Sequence, residues 1–237
     1  MKVKLYDDNI GSVELVDHMG TDLTIVNSAR VSFGVHKDKL DEKDKKLIEY
    51  LVKNKHTSTF EHNTVTFRIC APIFVRSQHH RHRTWSYNEI SRRYTDYNIQ
   101  FYEPKSFRTQ HKSNRQASNP RDLINPLIDE KNIAGGNNAS YLVHRHNMVS
   151  LALYEKLIKN GVCREQARGV LPQNMYTEYY ATVNLNNLLK FISLRKHSGA
   201  QWEIQRLAEG MLKIARHIWP VATETYISLN LKGESNE

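Results

Sequence analysis

The stretch Gln78–Tyr94, Q-H-H-R-H-R-T-W-S-Y-N-E-I-S-R-R-Y, constrains this chain more than any other. It gathers four arginines (Arg81, Arg83, Arg92, Arg93), three histidines, two serines and Asn88 around a single carboxylate, Glu89. An apolar run, Val65–Ala71, leads into it through Pro72-Ile-Phe-Val75. We read no strand-like alternation here, and the polar residues are too dense for a helix facing a core. So many hydrogen-bonding side chains tethered to an apolar element suit a pocket for something anionic and planar. Arginine offers a rigid fork for phosphate and stacks on flat rings, while Ser and Asn add uncharged donors and acceptors. A solvated basic face is the competing reading, and the residues by themselves leave the two in balance.

The totals narrow the field. A chain of 237 residues is long enough for one sizeable core or two small ones. With 39% hydrophobic residues it is core-poor, which favours long surface loops or burial shared with partner subunits. No apolar run approaches the ~20 residues of a membrane helix, and the N-terminus lacks a signal-peptide apolar region. The expectation is a cytoplasmic protein with no membrane partner. The net charge of +9 asks for anionic partners: nucleic acid, nucleotides, a flavin pyrophosphate or folate carboxylates. Two cysteines make neither a disulfide framework nor a zinc site. Cys70 reads as a buried small hydrophobe, and Cys163 has no visible base beside it. His79 and His80 point different ways on a helix and read as surface or interface residues. With His56, His62 and His82 they lack the ligand spacing of a metal site, so no metal is expected.

Along the chain, Met1–Leu15 reads as a strand pair turning near Asp7-Asp8-Asn9, and 22–33 as helical. A helix capped by Asp41 carries Leu47, Ile48, Leu51 and Val52 and closes at Lys53–Lys55. Pro72 suits the first turn of a helix running to about His80, after which the arginine-rich stretch continues as a loop. Residues 105–138, rich in Asn, Ser and Gln and broken by Pro120, Pro126 and Gly135-Gly136, read as a long polar loop or excursion. An amphipathic helix over 139–160 follows, with Leu142, Val149, Ala152, Leu153 and Leu157 as its apolar face and Gly161 as its stop. Then come a short helix from Arg164 to Val170, a strand over 179–183, and helices over 187–195 and 200–218. The last of these stops before Pro220. The fold class is α/β (α+β), one domain over 1–237.

Arg81-His82-Arg83-x-x-Ser86-x-Asn88-Glu89-x-Ser91-x-Arg93 resembles, at all eight fixed positions, the RHRxxSxNExSxR signature of the flavin-dependent thymidylate synthases. The resemblance runs from about Val13 to Trp202. His56-x-Ser58-x-Phe60-Glu61-His62 is similar to that family's HxxPFEH segment, with Thr59 in place of proline, which implies a less rigid loop. Arg168-x-x-Leu171-Pro172 is similar to its RxxLP segment. The segment Val183–Arg195 resembles a helix with flavin contacts followed by a catalytic arginine. Asn184 and Arg195 match that pattern, whereas Asn186, Lys190 and Gly199 depart from it.

The resemblance implies a mostly antiparallel central sheet flanked by helices, and synthesis of dTMP from dUMP. FAD is the implied cofactor, with NADPH and 5,10-methylenetetrahydrofolate as co-substrates. Binding of dUMP would fall to Gln78, His79, His80, Arg81, Glu89, Ile90, Ser91, Arg92, Arg93, Arg168 and Arg195, with Arg195 catalytic. FAD would meet Ser58, Arg81, His82, Arg83, Glu89, Asn184, Leu185, Asn186 and Lys190. A homotetramer with shared active sites is implied as well. No G-x-G-x-x-G fingerprint occurs, so a Rossmann domain is not implied. The rival is a sequence-tolerant nucleic-acid binder drawing on the charge and on twelve tyrosines.

Overall fold

The computed structural model describes residues 1–130 and 133–231. Its centre is the run that leads into the arginine-rich stretch. Thr64–Pro72 is a strand, and Val65, Phe67, Ile69 and Ala71 are buried on one face while Thr64, Thr66, Arg68 and Cys70 lie on the other. This period of two is what a pleated strand demands, so the absence of alternation expected there is corrected. The strand pairs antiparallel with Tyr176–Asn184, register Phe67↔Ala181 and Ile69↔Tyr179, which stacks the buried residues of both on one face.

Numbered in chain order, the strands are β1 (Lys2–Lys4), β2 (Ser12–Met19), β3 (Thr64–Pro72), β4 (Ser86–Glu89), β5 (Phe107–Gln110), β6 (Ser118–Ile124), β7 (Leu127–Glu130), β8 (Ile133–Asn138) and β9 (Tyr176–Asn184). The helices are α1 (Asp22–Arg30), α2 (Glu42–Lys53), α3 (Ile73–His79), α4 (Ala139–Lys159), α5 (Arg164–Ala167), α6 (Leu185–Lys196), α7 (Trp202–Ile218) and α8 (Pro220–Asn230). The main sheet has the order β1-β2-β3-β9-β4, antiparallel throughout. The mostly antiparallel sheet flanked by helices is thus observed.

One contiguous apolar core joins the buried sheet face to α6 and α7. On α7, Ile204, Leu207, Met211, Ile214 and Ile218 recur at helical spacing and are buried. Gly210 lets α7 approach the sheet: a Cβ there would lie 2.7 Å from Val13 Cγ1 and 2.9 Å from Leu5 Cδ2. Asp41 caps α2 by accepting from Asp44 N at 3.0 Å. The end of the chain is tied to its beginning. Asp22, buried in α1, accepts from the backbone N–H groups of Val221 and Ala222 at 3.0 and 2.9 Å. Trp219 Nε1 donates to Gly20 O at 3.1 Å.

Several expectations change. The signature does not continue only as a loop, because its middle is β4, paired with β9 from Ser86↔Thr182 to Glu89↔Tyr179. The polar excursion holds two antiparallel pairs, β5–β6 and β7–β8, although residues 131 and 132 within it lie outside the described ones. On α4 the buried side is Ala139, Asn147, Ser150 and Tyr154, whereas Val149 and Leu153 are 63% and 45% exposed. Its apolar stripe therefore faces outward. Pro220 opens α8, a helix not anticipated, because proline at the first helical position leaves no donor unpaired. Among the described residues, no helix is long and apolar enough to cross a membrane.

Candidate active site

The second half of the signature lines a cavity of about 530 Å³ together with Arg168. Glu89 ends β4 and accepts from Thr177 Oγ1 at 2.6 Å. Its Oε1 also lies 3.1 Å from Arg76 Nε, close enough for charge pairing. Ile90 stays in line by donating its N–H to Glu178 O at 2.9 Å. The chain then turns, with Tyr94 N and Thr95 N both donating to Ser91 O. Ser91 Oγ accepts from Arg93 N at 3.2 Å.

The two adjacent arginines part ways. Arg92 turns inward and is buried, its Nη1 donating to Tyr97 O at 2.7 Å, and burial lowers its pKa. Arg93 is exposed, 4.0 Å from Glu165 and with its guanidinium 5.6 Å from the Tyr94 ring centre. Arg168 opens a 3-10 turn and, among the described residues, is held only through its Nε, which donates to Glu165 O at 3.3 Å. Four arginines (Arg76, Arg92, Arg93 and Arg168) thus line the cavity against one carboxylate, Glu89, although the Arg92 guanidinium is turned to Tyr97 O. That excess of fixed positive charge suits a phosphate. Arg76 and Thr177 were not singled out from sequence. Arg76 lies in the helix leading to Gln78, and its spacing carries no signal without the β9 partner strand.

A second group forms where α3 and α6 end. Arg195 Nε donates to His82 Nε2 at 3.0 Å, and its Nη2 reaches Gln78 O at 3.4 Å. Since His82 accepts there, its ring is neutral. Burial and then the Arg195 charge take its pKa down to about 4. Burial, followed by the charge of Arg81, lowers the Arg195 pKa as well. The Gln78 side chain joins a relay, donating to Gln201, which donates to Glu203 at 2.9 Å. Arg81 and Arg83 are exposed. None of Gln78, Arg81, His82 and Arg195 lines the first cavity.

The histidine pair divides as well. His79 is not at the surface: it is wholly buried against Trp85, Tyr87 and Phe191, with Nδ1 2.9 Å from the Tyr179 hydroxyl. Burial pushes its pKa far down, so the ring packs as a neutral core group, sealed from solvent. One residue on, a helical step of about 100° turns His80 toward the Tyr87 ring, 4.1 Å between centres.

A third group lines a cavity of about 350 Å³ that includes Asn186 and Lys190, with Lys55, His56, Leu189 and Tyr226. Ser58 is exposed on the adjoining 3-10 turn Thr57–Phe60. In that turn Thr59 is buried, and its hydroxyl donates to His56 O at 3.0 Å. Asn184 caps α6, accepting from Asn187 N at 2.9 Å, and Asn186 Nδ2 donates to Glu61 at 2.9 Å. The Leu185 side chain is wholly buried in the core, which leaves only its backbone for a ligand.

Among the described residues, no three His, Cys, Asp or Glu side chains converge as metal ligands. Cys70, on β3, has its thiol pushed up to about 11 by burial, with Glu178 and Asp8 adding to the shift. Cys163 is exposed.

Comparison with known proteins places the chain in a family. A family profile described as "Thymidylate synthase complementing protein" matches residues 14–221. The chain is 42% identical over 235 residues to the flavin-dependent thymidylate synthase of Thermotoga neapolitana, covering 99% of this chain and 98% of that one. It is also 42% identical over 223 residues to the corresponding protein of Thermus thermophilus, covering 94% and 78%. Among solved structures it is similar to the UMP/dUMP methylase PolB of Streptomyces cacaoi bound with 5-Br dUMP. The TM-score there is 0.78 and the identity 33%, over 96% of this chain and 98% of that one. A chain that carries the whole arginine-rich signature and matches such relatives along nearly its full length belongs to the flavin-dependent thymidylate synthases.

Proposed function

We propose that this enzyme carries out reductive methylation of dUMP to dTMP, with 5,10-methylenetetrahydrofolate as carbon donor and NADPH as reductant through FAD. The observation that carries the reading is the cavity in which Glu89, Ser91, Arg93 and Arg168 meet. Arg93 and Arg168 hold the nucleotide phosphate there, and the Ser91 hydroxyl adds an uncharged contact. Gln78 and Arg195 meet the uracil base.

The chemistry asks for a base that is electron-rich at C5 before it attacks a one-carbon unit. Arg195, pinned by His82 and the Gln78 carbonyl, sets a fixed cation beside a base carbonyl. A cation so placed stabilises the negative charge that gathers on that oxygen as the ring reacts, the contribution of a preorganised charge. No thiol is needed at C6 in this scheme, in keeping with Cys70, whose thiol is pushed up to about 11 on a sheet strand.

The residues of the third group suit FAD. Lys55 and Lys190 are exposed cations beside an apolar wall that includes Leu189 and Tyr226, a donor set for phosphates next to a flat ring. Ser58, Lys190 and Asn186 would hold the cofactor, with Asn184 fixing the helix start behind them. When bound, FAD supplies the hydride that completes the methyl group.

A homotetramer with sites shared between copies belongs to this reading. Gln78, Arg81, His82 and Arg195 lie apart from the first cavity, and α4 offers Val149 and Leu153 outward. Both features suit copies that complete one another's sites. The test is release of the C5 hydrogen of dUMP when purified yellow protein receives NADPH and methylenetetrahydrofolate. A colourless protein that refuses FAD and leaves dUMP intact would overturn the reading.

A further inference from the structure

A glutamine side chain has a donor end and an acceptor end of the same size. Which end a ligand meets depends on what holds the other. Gln78 is half-buried at the last turn of α3, and its Nε2 donates to Gln201 Oε1. Gln201 Nε2 donates in turn to Glu203 Oε2 at 2.9 Å. Glu203 is 2% exposed, and its other oxygen accepts from Arg108 Nη2 at 2.5 Å and from the Tyr102 hydroxyl at 3.1 Å. Burial, and after it the Glu203 charge, push the Tyr102 pKa up, so that hydroxyl stays protonated and goes on donating.

A carboxylate paired with a guanidinium only accepts. Gln201 must therefore turn its NH2 toward Glu203 and its carbonyl toward Gln78. Gln78 must then commit an N–H to that carbonyl. Its Oε1 is left over: no hydrogen bond within the described residues engages it, and it is not sealed inside the protein. The orientation of both amides thus follows from a single buried charge.

We propose that Glu203 is a positioning residue that, through Gln201, holds the Gln78 amide with its acceptor toward the nucleotide and so selects a pyrimidine bearing N–H at N3. The inference rests on the reading of Gln78 as a contact to the base. Uracil carries a hydrogen at N3, whereas cytosine has a lone pair there. An acceptor locked against that lone pair repels it, and the amide cannot rotate without breaking the relay. Arg108 lies on β5, so the first hairpin of the 105–138 segment supplies the counter-ion on which the relay depends.

The test compares dissociation constants of dUMP and dCMP for the full flavin-loaded enzyme, read from the change in flavin absorbance. Glu203→Gln keeps the side-chain size, but its carbonyl stays with Arg108 and Tyr102, so its NH2 faces Gln201 and the relay reverses, turning the Gln78 N–H toward the ligand. The dCMP-to-dUMP ratio is expected to fall about tenfold, a selectivity that a merely structural defect would not move. Gln201→Met breaks the relay while sparing the buried ion pair, and the same fall is expected; it decides the matter should Glu203→Gln not fold. Either folded, flavin-binding variant that keeps the wild-type ratio within twofold overturns the proposal. A wild-type enzyme that binds flavin but not dUMP would instead overturn the functional reading beneath it.

Discussion

Replacing Arg168 by alanine isolates the phosphate part of the site. Arg168 is exposed and, among the described residues, spends only its Nε on the protein, through Glu165 O at 3.3 Å. Neither terminal nitrogen has a partner among those residues, so both can form a fork on an anion. At about 4 Å, a guanidinium–phosphate pair is worth about 1 kcal/mol in water and about 4 kcal/mol near a protein surface. Hydrogen bonds to charged groups contribute about 1.5–3 kcal/mol. An exposed arginine belongs near the middle, at about 2 kcal/mol, which converts to an increase of about 30-fold in the dUMP dissociation constant. Deoxyuridine lacks the phosphate, so its binding should change less than about threefold. Calorimetric titration of the Arg168→Ala enzyme with both ligands gives the two numbers directly. Equal weakening of nucleoside and nucleotide would refute the phosphate assignment and point to a contact with the base or the fold.

Two further outcomes are expected. Arg195→Ala should fold, stay yellow and lose turnover by about 10²–10³-fold, the usual cost of removing a preorganised charge; dUMP tritium release and the flavin spectrum check this, and activity within tenfold of wild type would contradict it. His79 and His82 both have folded-state pKa values below that of free histidine, so the unfolded chain takes up their protons first as pH falls below about 6.5. Stability should therefore drop between pH 7 and 5, and thermal unfolding should show a smaller drop in His82→Gln, whose amide oxygen still accepts from Arg195; an equal drop would assign the effect elsewhere.

Much of the fold was legible where local pattern and final packing agree. Asp41 announces α2, and the spacing of Ile204, Leu207, Met211 and Ile214 announces α7. The alternation of Val65, Phe67, Ile69 and Ala71 is equally present, but the dense polar stretch that follows masks it. β4 owes its form to pairing with β9, some ninety residues away, and its own Ser86 and Asn88 are exposed, so no pattern marks it. Strands β5 and β6 bury little of either face and read as loop for the same reason. On α4 the apolar stripe points to solvent while Asn147 bonds Glu103, so the pattern gave a helix and the wrong face. Motif spacing brought Glu89, Ser91, Arg93 and Arg168 into one group before their geometry was known. It could not foresee that His79 turns into the core, nor that Arg195 ends beside His82 rather than in the Arg168 cavity.

The clasp between Asp22 and the start of α8 bears on how the chain is made. A ribosome delivers Asp22 two hundred residues before the Val221 and Ala222 N–H groups that it accepts from. Until those arrive, burying this carboxylate would strand a charge without partners. A nascent chain halted before Trp219 therefore lacks both donors, and α1 can be sealed only with Asp22 protonated or once the C-terminal helix has arrived.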